Sequence, residues 1–427
     1  VPRLTRDRIT WLTYSQLGLW GFFLYGFGPV VPLLRDEQGT SAAVAGLHST
    51  GIAVGALAGG ALFAPVARRY GRGPAIWLGL AGVAAGVTAL GVLRPLPATI
   101  AAVAVVATFG MMVISGVNVV LTARHGPAAP AALTEANAVC AGMGILAPLT
   151  IGVTLDAGLG WRPVTAVEVG LITLVALAAL TFRVRLPQSA PATAAAVAPV
   201  PVAAAVAPVG SRSGEMVAER RSRGGRPDLA TDTRAASARL PRAYWIAWVL
   251  MSVTGSIEVC LSLWTADVLR THAGLSAGGA SAAVAAIVCG MFVGRAVGGR
   301  AALRWPPVPL LLGALTVSLA GFTLFWASPI GWLAVTGLVV LGLGNALHYP
   351  LAISIALTAA GTATDRAAGW SSYSMAVGFG IAPVVLGWVA DGVGPHLAFL
   401  LLPAFIAVAV LLTVRLGRAL APGVAPA

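Results

Sequence analysis

Pro148, Gly152 and Asp156 return as Pro383, Gly387 and Asp391, an offset of 235 residues. The same offset carries Gly55 and Gly59 onto Gly290 and Gly294, and Arg69 onto Arg304. Three separated regions that share one offset make the chain two copies of one module. Whatever fold it adopts must be a pseudo-symmetric pair.

The copies are built for a bilayer. Of the residues, 58% are hydrophobic and only 10% charged, whereas a soluble domain carries about 25% charged residues to face water. A spanning helix needs roughly 20 apolar residues. Such stretches lie near 11–34, 42–64, 73–93, 98–121, 136–159 and 164–182 in the first copy. In the second they lie near 244–269, 277–299, 308–327, 331–358, 368–390 and 396–416. The runs are continuous and lack the short alternating pattern of a barrel strand, so the spacing predicts twelve helices in an all-α membrane protein. The first stretch is too long for a cleavable signal and lacks a small-residue cleavage site, so it reads as the first span.

All 27 basic residues are arginine, and their placement fixes the expected orientation. With the N-terminus in the cytoplasm, 22 of the 27 fall on cytoplasmic segments. Arg35, Arg94, Arg162 and Arg270 fall outside, and Arg295 within a span. This is the positive-inside bias of a multi-pass protein of the cytoplasmic membrane, with both termini inside. It accounts for the net charge of +13 better than a nucleic-acid surface does. Cys140, Cys260 and Cys289 lie singly in spans, without metal or disulfide spacing, and read as small hydrophobes.

Residues 183–242 divide the chain. Pro187 to Val209 is nearly all Ala, Pro and Val, and an arginine-rich polar run "ERRSRGGRPD" follows. Neither part can bury enough area to fold. The expected organisation is a six-helix half over 1–182, a disordered cytoplasmic linker over 183–242, and a second six-helix half over 243–427 with a short tail. The linker's arginines suit anionic head groups.

Gly144, Pro148 and Gly152 form GxxxPxxxG, and Gly380, Pro383 and Gly387 give the counterpart in the eleventh span. Four-residue spacing sets small residues on one stripe, where backbones approach closely, and proline removes one helical hydrogen bond. Static packing and sliding of the halves both fit. Two membrane-embedded repeats around a central axis suit alternating access, in which one half rocks against the other about a fixed site.

Taken together, the six-plus-six spans, the long central linker and the basic loops after spans two and eight resemble the major facilitator superfamily over the whole chain. The loop "ARRYGRG" is similar to that family's signature, D-R-x-G-R-R, through Arg69, Gly71 and Arg72. Arg68 stands at the aspartate position and Gly73 at the last basic one. The second copy keeps Arg300 and Arg304 but has Leu303 at the acidic position. The GxxxPxxxG stretch resembles the motif of proton-driven exporters in the drug/proton antiporter branch, with Ala147 in place of a glycine. The resemblance implies a proton-coupled exporter of a small, largely apolar organic compound working by alternating access. Uptake of a small organic solute is the alternative. A membrane enzyme or receptor on a carrier-like scaffold is a further one.

Ionisable groups inside spans cost about 2.5–3.5 kcal/mol at the bilayer centre unless paired or hydrated. Glu258 lies near the middle of span seven with no base in its own helix. Desolvation disfavours its charged form, so it is placed to load and release a proton near neutral pH; a permanently protonated structural acid is the other reading. His348 is the alternative proton carrier. Arg295, one turn inside the cytoplasmic end of span eight, can snorkel to the interface and reads as structural. Asp156 and Asp391 read as gate or interface residues, Glu135 as a helix N-terminal group, Glu168 and Asp267 as hydrated, and His48 as interfacial.

Tyr25, Asn118, Trp264, Asn345, His348 and Tyr349 belong to the four helices that line the cavity in the family resembled, so they are candidate substrate contacts. Interhelical hydrogen bonding fits each one too. There is no Walker loop, HExxH, GxSxG or Cys/His metal cluster, so no cofactor, metal or catalytic residue is expected. The expected partners are a small-molecule substrate, protons and the lipid bilayer, with no nucleic acid and a monomeric chain.

The arginine asymmetry predicts that reporter fusions within 183–242 report a cytoplasmic location, together with both termini. An external linker would reverse the orientation. Deleting about half of the linker should leave insertion and thermal stability unchanged, provided the remainder still spans the halves.

Overall fold

An apolar segment in lipid must satisfy its own backbone polar groups, and the α-helix does so within one segment. The computed structural model describes residues 4–184, 240–302, 304–361 and 364–420. Among them are twelve spans long and apolar enough to cross a membrane. The first six are α1 (Arg8–Gln38), α2 (Ala42–Tyr70), α3 (Arg72–Val92), α4 (Leu96–His125), α5 (Ala129–Asp156) and α6 (Pro163–Thr181). The second six open with α7 (Arg242–Thr271) and α8, which runs as Ala277–Ala283 and Ala285–Ala302. Then follow α9 (Pro307–Ala327), α10 (Gly331–Asn345 and His348–Ala360), α11 (Thr364–Val393) and α12 (Pro395–Ala398 and Leu401–Leu420). Most of the linker expected over 183–242, the side chain of Arg300 and the tail after residue 420 lie outside the described residues.

Several helices overrun their apolar runs because their ends are capped. Asp7 precedes α1 and accepts from the Thr10 N–H at 2.9 Å and the Thr10 hydroxyl at 2.7 Å, while Arg124 at the end of α4 clasps its other oxygen. Partial burial works against ionisation of Asp7, but Arg124 and the two Thr10 donors outweigh it and hold its pKa at about 2. This clasp therefore stabilises the fold above the ordinary carboxylate range and is lost as pH falls toward 2. At the other end, Gly39 adopts φ 60° and closes α1.

Exposure follows the bilayer. In the most apolar 18 residues of each span, 83% of α1 is buried but only 22% of α6, which sets α1 in the middle and α6 at the rim. Large apolar side chains such as Val153, Leu177, Trp332 and Trp388 are exposed, as lipid-facing residues are.

The two sets of six meet along α1–α7, α2–α11 and α5–α8. Gly387 packs so tightly on α2 that a Cβ there would collide with the Ala42 carbonyl, and its repeat mate Gly152 packs on Gly278 and Ala282 of α8. Pro383 has no N–H, so the Phe379 carbonyl lacks a partner within α11. Ser49 of α2 donates to that carbonyl, and Thr50 donates to the Gly380 carbonyl at 2.6 Å. On the far side the Trp264 indole N–H donates to the Pro383 carbonyl at 3.3 Å. The carbonyls that Pro383 leaves exposed in α11 are thus met by hydroxyls from the opposite half.

Gly387→Val should destabilise the protein by about 1–3 kcal/mol through overpacking, read as a lower Tm. Gly142→Ala, where a Cβ meets nothing within 4 Å, should be neutral or stabilising by up to about 1 kcal/mol.

Candidate functional site

Glu258 lies where α1, α2, α7, α8 and α11 converge on a narrow cavity between the halves. Its volume is about 50 Å³, room for a few water molecules. The wall is apolar except for Tyr25, Glu258 and Ser262, with Leu24, Phe27, Ile52, Ile287, Met291 and Phe379 among the rest.

Arg295 sits one turn beyond Met291. Gly290 and Gly294 turn one face of α8 onto α10 at Val339 and Leu343. That leaves Arg295, about 100° round the helix from Gly294, on the side of the first half. Its guanidinium interacts with Tyr25 of α1, Glu258 of α7 and Cys140 of α5, and its Nε–H is buried without a partner. No ion-pair contact joins Arg295 to Glu258 among the described residues. The snorkelling expected of Arg295 is therefore not what is found: close packing of α8 on α10 directs it inward.

The remaining candidates divide by position. Tyr349 is buried and faces Glu258 and Tyr244, with its hydroxyl unpaired. Asn345 is buried, with Nδ2 3.9 Å from the Met291 sulfur and Oδ1 unpaired. His348 turns away from the cavity into α9, its Nε2 3.1 Å from the Ser318 hydroxyl. Trp264 is fully buried and serves the α7–α11 contact. Asn118 is half-buried on α4 and does not line the cavity. Near the chain ends of the bundle, Arg69 lies over the Tyr70 ring at 5.4 Å, and Gly71 at φ 93° makes the turn between α2 and α3. Arg69, Arg72 and Arg304 form no ion pair among the described residues.

The opposite end is closed by charge. Arg35 of α1 grips Asp267 of α7 through two contacts of 2.5 and 3.1 Å, and Arg270 reaches Asp36 at 3.0 Å. Beside this ring, both Asp391 oxygens accept from the Ala42 and Ala43 N–H groups opening α2, at 2.6 and 3.0 Å. The repeat mate Asp156 lies 3.4 Å from the Ser276 hydroxyl at the start of α8. Each aspartate thus meets the N-terminus of a helix in the other half, where negative charge is favoured.

Four readings of polar residues are corrected here. Asp267 is not hydrated: its side chain is 2% exposed because Arg35 covers it. Glu168 is buried among Phe22, Phe23, Val87, Leu90 and Trp161, with Oε1 unpaired. His48 is buried, its Nε2 2.9 Å from the Thr99 hydroxyl. Because α5 starts at Ala129, Glu135 lies within the helix and accepts from Arg6 at 2.5 Å and from Tyr14 at 3.2 Å. Sequence reasoning also passed over the ion-pair ring, although Arg35 and Arg270 stand at the same 235-residue offset.

That offset separates scaffold from site. The packing residues repeat, whereas Glu258 faces Phe23 across the repeat, Arg295 faces Gly60, Tyr25 faces Cys260 and Tyr349 faces Ile114. The ionisable and hydroxyl groups at the cavity stand where the symmetry breaks.

Twelve apolar helices as two joined sixes, with an ionisable cavity between them, define a membrane solute carrier. The family model of the Major Facilitator Superfamily matches residues 17–370, and the chain belongs to that superfamily. Two Brucella abortus proteins, of biovar 1 (strain 9-941) and strain 2308, are each named a glucose/galactose transporter. Each is 30% identical over 193 residues, 41% of this chain and 44% of their own. The chain thus matches less than half the length of these curated relatives. Among solved structures, a bacterial homolog of the human lysosomal transporter Spinster, inward-facing and unoccupied, gives a TM-score of 0.71. It has 15% identity, over 98% of this chain and 99% of that one. The nucleoside transporter NupG gives 0.70 at 13% identity, over 97% and 99%. A D-xylose-proton symporter gives 0.67 at 15%, over 96% of each. At these identities the likeness is one of fold.

Removing one partner of the covered Arg35–Asp267 pair strands the other. Asp267→Asn should cost about 3 kcal/mol, read as a lower Tm. Asp36→Asn, whose side chain is 43% exposed, should cost less than about 1 kcal/mol.

Proposed function

We propose that this protein is a proton-coupled secondary transporter of a small, largely apolar organic compound, with Glu258 as the proton site. The observation that carries the reading is the position of Glu258: a carboxyl without an ion-pair partner among the described residues, on the wall of an apolar cavity between two halves. The closed end, with its cross-half ion pairs, is the outer one under the orientation the arginines imply. The cavity then exchanges with the cytoplasm once the halves part at the other end. Both halves and the cavity belong to one chain, so the monomer is the unit of function, in the cytoplasmic membrane with both termini inside.

Export was suggested by the GxxxPxxxG stretch, but the contacts of that stretch are accounted for by packing. Gly144 lies against Tyr25 and Gly152 against α8. Uptake with a proton is the direction we favour, in line with the transporter and symporter names carried by relatives and structural neighbours. A hexose is a poor fit to this wall, because Tyr25, Glu258 and Ser262 with nearby Arg295 offer too few partners for its hydroxyls, each costly to bury unpaired.

Glu258→Gln keeps the shape but cannot ionise. In proteoliposomes it should lower pH-gradient-driven transport at least about tenfold and spare gradient-free exchange. Normal gradient-driven transport at normal expression would remove Glu258 from the mechanism. His348→Gln, facing Ser318, should leave coupling intact.

A further inference from the structure

We infer that the substrate is an amphipathic monocarboxylate whose carboxylate is taken by Arg295 and whose apolar body fills the central cavity. The inference rests on the transport reading above and names the chemistry of that site. Arg295 is a half-buried cation that no carboxylate contacts among the described residues, and its Nε–H is buried and unpaired. A guanidinium presents a planar fork of donors, and its preferred partner is a carboxylate gripped through two parallel hydrogen bonds. The Tyr25 hydroxyl beside it supplies a further donor.

The rest of the site limits what can follow the head group. Leu24, Phe27, Ile52, Ile287, Met291 and Phe379 offer only apolar surface around about 50 Å³, so the body is a short aliphatic group, an aromatic one entering only as the halves part. A phosphate would bring a second negative charge and further acceptor oxygens that this wall does not meet. A cationic head would face Arg295 directly.

The same geometry links the anion to a proton. The groups around Glu258 are Arg295 of α8, Tyr25 of α1 and Tyr349 of α10, with Tyr244 of α7 beyond Tyr349 and Cys140 of α5 beyond Arg295. Arg295 is the one cation among them. Without substrate, Arg295 and ionised Glu258 balance. A bound carboxylate adds a second negative charge around a single guanidinium, and one proton on Glu258 restores neutrality. Proton and carboxylate then cross together in one direction, and the loaded site moves through the bilayer with no net charge.

The test uses the detergent-solubilised full chain with butyrate, benzoate and phenylacetate, their primary amides and the matching primary amines. Carboxylates should raise Tm in a saturable way, while amides and amines should not. Arg295→Gln should weaken carboxylate binding about a hundredfold. Arg295→Lys, which keeps the charge but loses the fork, should fall between and guards against a folding failure. In weakly buffered solution, wild type should take up about one proton per carboxylate bound, and Glu258→Gln none. Binding of amines or amides in preference to carboxylates, or unchanged affinity in folded Arg295→Gln, would overturn the inference. Failure of the transport reading is distinct: Glu258→Gln would still carry the bound compound down a pH gradient, whatever its head group.

Discussion

The Phe379 carbonyl, left without a helical partner by Pro383, is met by Ser49 from the opposite half. Most of the architecture depends on that kind of exchange. In lipid an orphaned carbonyl finds no water, so a bend in one helix must be satisfied by a neighbour. Here the neighbour belongs to the other half. Thr50 and the N-terminus of α2 extend the same seam through Gly380 and Asp391. Small residues make it possible, since only a glycine at 387 lets the α2 backbone come this close. The proline site, the seam and the closed end are one structure.

Electrostatics adds a second layer with its own division of labour. The charges that hold the halves together are paired: Arg35 with Asp267, Arg270 with Asp36, and the two aspartates with helix N-termini. The charges at the centre are not. Glu258 and Arg295 influence each other without contact, and both remain available to a ligand or a proton. A site that fully satisfied itself would have little to gain from binding.

Much of this was legible in the sequence. Apolar run length fixes the twelve helices, and the repeat fixes their pairing, because both arise from short-range composition. Glu258 could be read for the same reason, since its depth follows from counting along one helix. Arg295, Asp267 and Glu168 could not. Which way a side chain faces depends on the rotation of its helix against several neighbours, and no spacing within one span encodes that. Glu135 went astray because α5 starts before its apolar run, and His48 because Phe27 of α1 and Thr99 of α4 cover it. The departures at Arg68 and Leu303 in the basic loops, by contrast, agree with Arg69, Arg72 and Arg304 forming no ion pair among the described residues.

The repeat is imperfect along its seams. Ser49 and Thr50 correspond to Val284 and Ala285, which carry no hydroxyl. Among the described residues, hydrogen bonds at Ala42, Ala43, Ser49 and Thr50 join α2 to α11, while α5 and α8 share the long Asp156–Ser276 contact. The closed end therefore hangs like a door, hinged along one jamb and lightly latched on the other.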